Sequence, residues 1–199
     1  MKKLGIFFIL IIFFSKFSLL SAYSSDPKNF VSELVQDVIS KLSNKSLSDI
    51  EKAKFVETVA LENVDINALG LYTLGELRKS ADSEDIENYQ NAFRSYFLKT
   101  LTSRLTDYSS SKFEIIEAEL KSSSYTIIKS KIVPENGSPE IKIDWRVYTK
   151  NPEKPLIRDL IVEGLSLART QKEEFASILS SNNNDIQILI SKLKGFVNN

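Results

Sequence analysis

The chain has 199 residues with 26 basic and 26 acidic side chains, and it contains no cysteine and no histidine. Without cysteine it has no disulfides and no thiolate metal sites, and without histidine it lacks the commonest general base and transition-metal ligand. The balanced charge provides no basic excess of the kind that nucleic-acid binding requires.

The first 24 residues are predicted to be a signal peptide. Lys2 and Lys3 precede an uninterrupted apolar run from Leu4 to Phe14, which as a helix would span roughly 16 Å, about half of a bilayer core. Such a run is typical of an export signal, and cleavage is expected after Ala22 or Ser24, with an uncleaved anchor as the alternative. Removing the three lysines of this segment leaves 23 basic against 26 acidic residues. The remainder, residues 25–199, has the size of a single domain.

Four helices are predicted in the first half of this domain. Apolar residues at four-residue spacing mark the first, namely Phe30, Leu34, Val38 and Leu42. Ser48 and Glu51 form a capping-box pattern that opens a second helix, and a third begins near Asp65. The fourth is the longest, because apolar and aromatic residues follow one face for about six turns. These residues are Ile86, Tyr89, Phe93, Phe97, Leu101, Leu105 and Tyr108.

After this helix the apolar period changes from helical to alternating. Strands are predicted for 113–120, 125–133, 141–148 and 156–162, with a turn at Gly137 between the second and the third. In the third strand, Ile141, Ile143, Trp145 and Val147 lie on one face, whereas Lys142, Asp144, Arg146 and Tyr148 lie on the other. This alternation predicts an antiparallel sheet with one covered and one solvated face.

Two further helices are predicted to end the chain. Thr170 and Glu173 have the capping-box spacing and predict that a helix containing Phe175 opens at Thr170. The last helix carries Ile186, Leu189, Leu193 and Phe196. Helices, consecutive strands and then helices again predict an α+β domain, with helices packed on a curved antiparallel sheet of about four strands.

Two segments of the chain resemble the MlaC, or toluene-tolerance, family. The first contains Leu74, Gly75 and Ser80, followed by the aromatic helix with Phe93, Arg94 and Tyr108. The second contains Asp159, Glu163, Gly164, Leu165 and Ser166, followed by the helix with Phe175. The chain departs from the family pattern at Leu156–Arg158, where an aromatic residue is frequent, at Asn182–Asn184, where a glycine is usual, and at Leu165, where valine is typical.

The resemblance implies a periplasmic, monomeric phospholipid-binding protein of the Mla system, which maintains outer-membrane lipid asymmetry. It implies an apolar cavity between sheet and helices, a glycerophospholipid as cargo, and no cofactor or metal. It also implies an inner-membrane ABC transporter with MCE-type rings and an outer-membrane lipoprotein as partners. The candidate lining residues are Phe93, Phe97, Leu101, Ile127, Ile141, Ile143, Trp145, Val147, Leu160, Val162 and Leu165; by pattern alone they would be ordinary core.

Catalysis is not predicted. Residues 164–168 nearly match the nucleophile elbow of esterases, but the chain has no histidine to accept a proton from Ser166. Asp144 is interpreted as a solvated charge, and Asp159 and Glu163 as anchors of a turn. Two alternatives to a phospholipid carrier stay open, namely a periplasmic module for a sterol- or hopanoid-like ligand and an interaction protein with a filled core.

Overall fold

A computed structural model describes residues 23–105, 111–135 and 137–198. Residues 1–22 of the predicted signal peptide, together with Tyr108, lie outside these ranges. Among the helices that are described, none combines the length and the apolar character needed to cross a membrane.

The described chain forms six α-helices and five strands. The helices are α1 (Pro27–Ser43), α2 (Asp49–Asn63), α3 (Ile66–Thr73), α4 (Ser83–Leu105), α5 (Leu167–Ser180) and α6 (Ile186–Asn198), with a 3₁₀ turn at Gly75–Lys79. The strands are β1 (Ser111–Ser122), β2 (Tyr125–Pro134), β3 (Ile141–Tyr148), β4 (Leu156–Val162) and β5 (Leu165–Ser166). The predicted α+β class is confirmed.

The five strands form one open sheet in the order β1-β2-β3-β4-β5, and each neighbouring pair is antiparallel. Ile128 pairs with Trp145, which pairs in turn with Leu160. These three side chains share the face that α1 covers, here called the inner face. One end of the sheet, here called the open end, is where β1 and β3 begin and β2 and β4 end.

The two predicted capping boxes differ in outcome. Ser48 and Glu51 cap α2 reciprocally, as predicted. The prediction that a helix opens at Thr170 is wrong, because α5 begins at Leu167 and Ser166 is its N-cap, accepting a hydrogen bond from Arg169 N at 3.1 Å. Thr170 lies inside the helix, where its hydroxyl donates to Ser166 O. The earlier start is favoured because Asp159 also accepts from Ala168 N and so satisfies a second free N–H of the first turn.

The apolar interior is divided into two clusters. The sheet cluster joins α1 and α2 to the inner face through Phe30, Val31, Leu34, Val35, Val59, Ile128, Trp145, Val147 and Ile157. The helical cluster lies among α3, α4, α5 and α6 and has Tyr89, Phe93, Phe175, Leu189 and Leu193 near its centre. Val64, at the end of α2, packs against both clusters.

Arg158 connects the start of α3 to the sheet. Its Nε and a terminal nitrogen contact Asp65 Oδ2 at 2.8 and 2.7 Å, and its other terminal nitrogen donates to the Tyr125 hydroxyl at 2.9 Å. The guanidinium also lies 3.4 Å from the ring centroid of Tyr148. A planar group with several fixed donors is suited to all of these contacts at once.

Arg158→Lys is therefore expected to destabilise the protein by about 1–2 kcal/mol, because an ammonium can replace only part of this set of contacts. Chemical unfolding of the variant measures the loss. Arg169→Lys, at an exposed position on α5, is the matched control and should change little. Equal stability of the two variants would contradict the role given to Arg158.

Candidate functional site

On β3 and β4, burial on the inner face decreases towards the open end of the sheet. Near the middle of the sheet, Ile128, Trp145, Val147 and Ile157 are all buried. Nearer the open end, Ile141, Ile143 and Val162 are only half-buried, and so is Leu160 opposite Trp145. On β2, by contrast, Ile132 opposite Ile141 is buried. The helices therefore cover the inner face incompletely where β3 begins and β4 ends.

Leu165 extends this partly covered surface. It pairs with Val162, which pairs with Ile143 on its other side, so the three side chains point to the same face. Leu165 is 68 % exposed. We call Ile141, Ile143, Leu160, Val162 and Leu165 the open-end patch; it is a continuous apolar strip across three strands.

The carboxyl-terminal half of α4 is a second half-buried apolar surface. Tyr89 and Phe93 are enclosed in the helical cluster, and burial raises the pKa of the Tyr89 hydroxyl, which shares a 2.8 Å hydrogen bond with Thr73 Oγ1. One turn further along, Phe97 stacks on Phe93 with 6.2 Å between ring centroids but is only half-buried, as are Leu98 and Leu101. The helix thus becomes progressively less enclosed towards its end.

The end of α4 lies close in the chain to the open end of the sheet. Helix α4 ends at Leu105 and β1 begins at Ser111, at the open end, and six residue steps span at most about 20 Å. Within the described ranges, α4 packs mainly against the helices α2, α3, α5 and α6. The half-buried side of α4 and the open-end patch together form the candidate site.

The eleven residues predicted to line a cavity are divided among several places. Five of them form the open-end patch, and Phe97 and Leu101 lie on the less enclosed half of α4. Phe93 lies inside the helical cluster, and Trp145 and Val147 lie inside the sheet cluster. Ile127 lies on the opposite, outer face of the sheet. The structure therefore brings five of the eleven together on adjacent strands at the open end of the sheet.

Three half-buried apolar residues near these surfaces were not among the predicted lining residues, namely Leu98 on α4 and Phe113 and Ile115 on β1. Phe113 contacts Trp145 edge-on, with 6.2 Å between ring centroids. The alternation of β1 could have identified Phe113 and Ile115 as inner-face residues. Leu98 carried no comparable signal, because it lies off the main apolar stripe of α4.

The buried polar groups next to the patch are paired with one another. Trp145 Nε1 donates to Ser130 Oγ at 2.9 Å, and Ser130 Oγ donates to Ile143 O at 2.8 Å. This chain satisfies the indole N–H inside the sheet cluster. The side chains of the open-end patch itself are all aliphatic, so the patch can recognise a ligand only by apolar contact.

The outer face of the sheet has a different character. An open groove of about 670 Å³ is lined there by Glu119, Lys121, Ser122, Tyr125, Ile127, Lys129, Asp144, Arg146 and Ile161. Lys129 lies 3.0 Å from Glu117 and 3.4 Å from Glu119. Charged groups of both signs thus surround the apolar side chains of the groove, unlike those of the open-end patch.

The turn between β4 and α5 is held by its own polar residues. Glu163 and Gly164 have positive φ angles of 49° and 83°, and a Glu163 carboxylate oxygen accepts from Lys142 N at 2.6 Å. Asp159 is 3 % exposed and accepts from Ser166 Oγ at 2.6 Å and from Ala168 N at 3.0 Å. Asp159, Glu163 and Ser166 therefore have structural partners that account for their positions in the motif.

Ser166→Ala is expected to lower stability by about 2 kcal/mol through loss of the N-cap and of the hydrogen bond to buried Asp159, which corresponds to a melting temperature about 4–8 °C lower for a domain of this size. Ligand binding should be unchanged, because Ser166 acts as a cap. Ser177→Ala, at an exposed position of the same helix, is the control. A variant that folds normally but has lost a hydrolytic activity of the parent protein would contradict this structural role.

No group of three or more acidic side chains in the described ranges is arranged to hold a metal ion. Comparison with curated protein sequences gives no significant match. Among solved structures, the chain is similar to the phospholipid-binding protein from Ralstonia solanacearum in complex with a phospholipid. The TM-score is 0.70 at 19 % identity, over 84 % of this chain and 94 % of that chain.

The fold is therefore shared with the Ralstonia protein across nearly the whole of that protein. The family model described as MlaC protein matches residues 32–195. That range runs from α1 to α6 and includes both surfaces of the candidate site. The chain belongs to the MlaC family.

Proposed function

We propose that this protein is a periplasmic carrier that binds a glycerophospholipid between the open-end patch and the carboxyl-terminal half of α4. The observation that carries the proposal is the open-end patch, an aliphatic strip on the inner face that the helices leave partly uncovered in a member of the MlaC family. The phospholipid bound to the Ralstonia protein of the same fold supports this choice of ligand.

Binding would depend on apolar contact with the acyl chains. Each buried methylene contributes roughly 0.8 kcal/mol, so two acyl chains provide sufficient affinity without a charged clamp. Ile143, Leu160 and Val162 would contact the chains on the sheet side, and Phe97 and Leu101 on the helix side. The head group would remain near solvent at the open end, where Leu165 is exposed.

A carrier must also release its cargo, and the candidate site fits this requirement. The two apolar surfaces belong to separate clusters, and Val64 packs against both. Separation of these surfaces would weaken the hold on the acyl chains without breaking an ion pair. We further propose that the protein exchanges lipid with an inner-membrane transporter carrying MCE-type rings and with an outer-membrane lipoprotein, and that the transporter provides the energy.

The test is uptake of lipid by delipidated protein. The protein is incubated with vesicles of phosphatidylethanolamine and phosphatidylglycerol, recovered, and analysed by native mass spectrometry and organic extraction. A stoichiometric adduct that extracts as glycerophospholipid is the expected result. A bare mass would mean that the two surfaces close into an ordinary core. Displacement of the phospholipid by an equimolar sterol or hopanoid would favour the alternative ligand.

A further inference from the structure

Thr100, on the less enclosed half of α4, has a hydroxyl that is not used by the fold. Its Oγ1 is shielded from solvent and makes no hydrogen bond with the described part of the chain. Other hydroxyls of this helix behave differently, since those of Ser95 and Thr102 donate to the backbone carbonyl four residues earlier. A shielded hydroxyl without a partner is unfavourable, so the Thr100 hydroxyl can gain from pairing with a group outside the chain.

The amide of Gln90 contains a second shielded atom without a partner, Oε1. The nitrogen of the same amide donates to Asn67 O at 3.0 Å, so the side chain has a structural role between α3 and α4. Gln90 also lies almost three turns before Thr100, about 15 Å nearer the start of the helix. Thr100 is therefore the shielded group that belongs to the candidate site.

The contacts between α4 and α5 show where Thr100 lies relative to the sheet. Phe93 meets Phe175 edge-on, with 6.3 Å between ring centroids. One turn later on α4, the Tyr96 hydroxyl donates to Gln171 Oε1 at 3.0 Å, one turn earlier on α5. The two helices are therefore antiparallel, and the end of α4 lies beside the start of α5.

Continuing this register by one turn brings Thr100 level with Leu167. Thr100 follows Tyr96 by four residues, and Leu167 precedes Gln171 by four. Leu167 is the first residue of α5 and is 49 % exposed. It follows β5 directly, and Leu165 on β5 belongs to the open-end patch. The hydroxyl of Thr100 thus lies at the level where the half-buried side of α4 approaches the patch.

The proposed cargo has a hydrogen-bond acceptor for this hydroxyl. A glycerophospholipid carries two ester carbonyls between its acyl chains and its head group. When the acyl chains lie on the apolar surfaces and the head group stays near solvent, these carbonyls lie at the boundary between the two. A threonine hydroxyl can donate to a carbonyl oxygen, whereas a lipid whose chains are joined by ether bonds has no carbonyl at this place.

We propose that the Thr100 hydroxyl donates a hydrogen bond to an ester carbonyl of the bound lipid, and that it thereby selects diacyl over ether-linked phospholipids. The inference rests on the proposed function. It adds one polar contact to a site that otherwise holds its cargo by apolar contact, and this contact sets how deeply the lipid enters. The hydroxyl is neutral, so release of the lipid still breaks no ion pair.

The experiment is a competition between two lipids. Delipidated protein is incubated with vesicles that contain equal amounts of a diacyl phosphatidylethanolamine and of its dialkyl ether analogue with the same chain length. Native mass spectrometry then gives the ratio of the two bound lipids. Thr100→Val should lower the ratio of diacyl to dialkyl lipid by about five- to tenfold, the contribution of one hydrogen bond. Thr100→Ser keeps the hydroxyl and should keep most of the preference.

Thr102→Val is the matched control, because its hydroxyl lies on the same half of α4 but is already bound to Leu98 O. It should leave the ratio unchanged. A ratio that is the same in the parent protein and in Thr100→Val would overturn the role of Thr100, even if both proteins bind lipid well. Uptake of neither lipid by the parent protein would instead overturn the proposed function itself.

Thermal unfolding without lipid provides an independent test. Thr100→Val should melt no lower than the parent protein, because no hydrogen bond is lost. Thr73→Val is the comparison, since the buried Thr73 hydroxyl donates to Gly70 O at 2.9 Å and shares a hydrogen bond with Tyr89. That variant should melt about 4–8 °C lower. A similar loss for Thr100→Val would show that its hydroxyl already serves the fold, and would refute the inference.

Discussion

Replacing Ile143 with aspartate is expected to weaken phospholipid uptake by about a hundredfold or more. Ile143 lies in the middle of the open-end patch, paired with Val162 on β4. A carboxylate held against an acyl chain costs several kcal/mol, and every 1.4 kcal/mol corresponds to a tenfold change in affinity. Because Ile143 is half-buried in the free protein, the new carboxylate retains access to water there, and the fold should survive.

The matched control is Ile161→Asp. Ile161 is also half-buried, but it lies on the outer face, where it lines the polar groove and pairs with Asp144. Uptake from vesicles, measured with a fluorescent phospholipid at equal concentrations of folded protein, should fall only for Ile143→Asp. Equal losses for the two variants would show that a charge anywhere on these strands disturbs the fold, and retained uptake by Ile143→Asp would exclude the open-end patch as the site.

The largest loss of stability is expected for Asp159→Ala. Asp159 is almost completely buried, and its two oxygens accept from Ser166 Oγ and Ala168 N, with Arg146 at 4.0 Å. Removal of the carboxylate leaves these donors without their acceptor, at about 1–3 kcal/mol for each buried group. We expect a total of about 3 kcal/mol, which lowers the melting temperature by about 6–12 °C.

Two further variants separate this effect from a change of charge. Asp159→Asn keeps one carbonyl oxygen for the Ala168 N–H and should lose roughly half as much stability. Asp144→Ala also removes a negative charge, but from the outer face of the neighbouring strand, and should lose little. Urea unfolding of all three variants provides the comparison. Equal losses for Asp144→Ala and Asp159→Ala would mean that the buried hydrogen bonds of Asp159 add no stability beyond the effect of the negative charge.

The elements with a strong period could be predicted from the sequence, and the site could be predicted only in part. The aromatic stripe of α4 and the alternation of β3 each repeat over many residues. Both elements could therefore be predicted from the sequence, together with the residues of β3 that lie on its covered face. In β2, however, Ile127 and Ile128 are adjacent and must point to opposite faces. Only the pairing of Ile128 with Trp145 identifies Ile128 as the inner-face residue.

Other differences arise from contacts between residues that are distant in the sequence. Ser166 and Thr170 are both of a residue type suitable for an N-cap. The helix begins after Ser166 because Asp159 on β4 accepts a hydrogen bond from the first turn of α5. The strand β5 has two residues and carries no period. Its pairing places Leu165 beside Val162, so the position of Leu165 in the patch follows from the register of the sheet.

Trp145 is the only tryptophan in the sequence, and this has a practical consequence for optical measurements. All indole emission from the protein arises from one ring in the sheet cluster, whose N–H is bound to Ser130 and whose paired neighbour on β4, Leu160, belongs to the open-end patch. In the proposed function, entry of an acyl chain beside Leu160 would change the surroundings of that ring, while its hydrogen bond and its buried position would keep the ring in place. Unlabelled protein would then contain its own fluorescent reporter of lipid loading, suited to stopped-flow measurement of uptake and release.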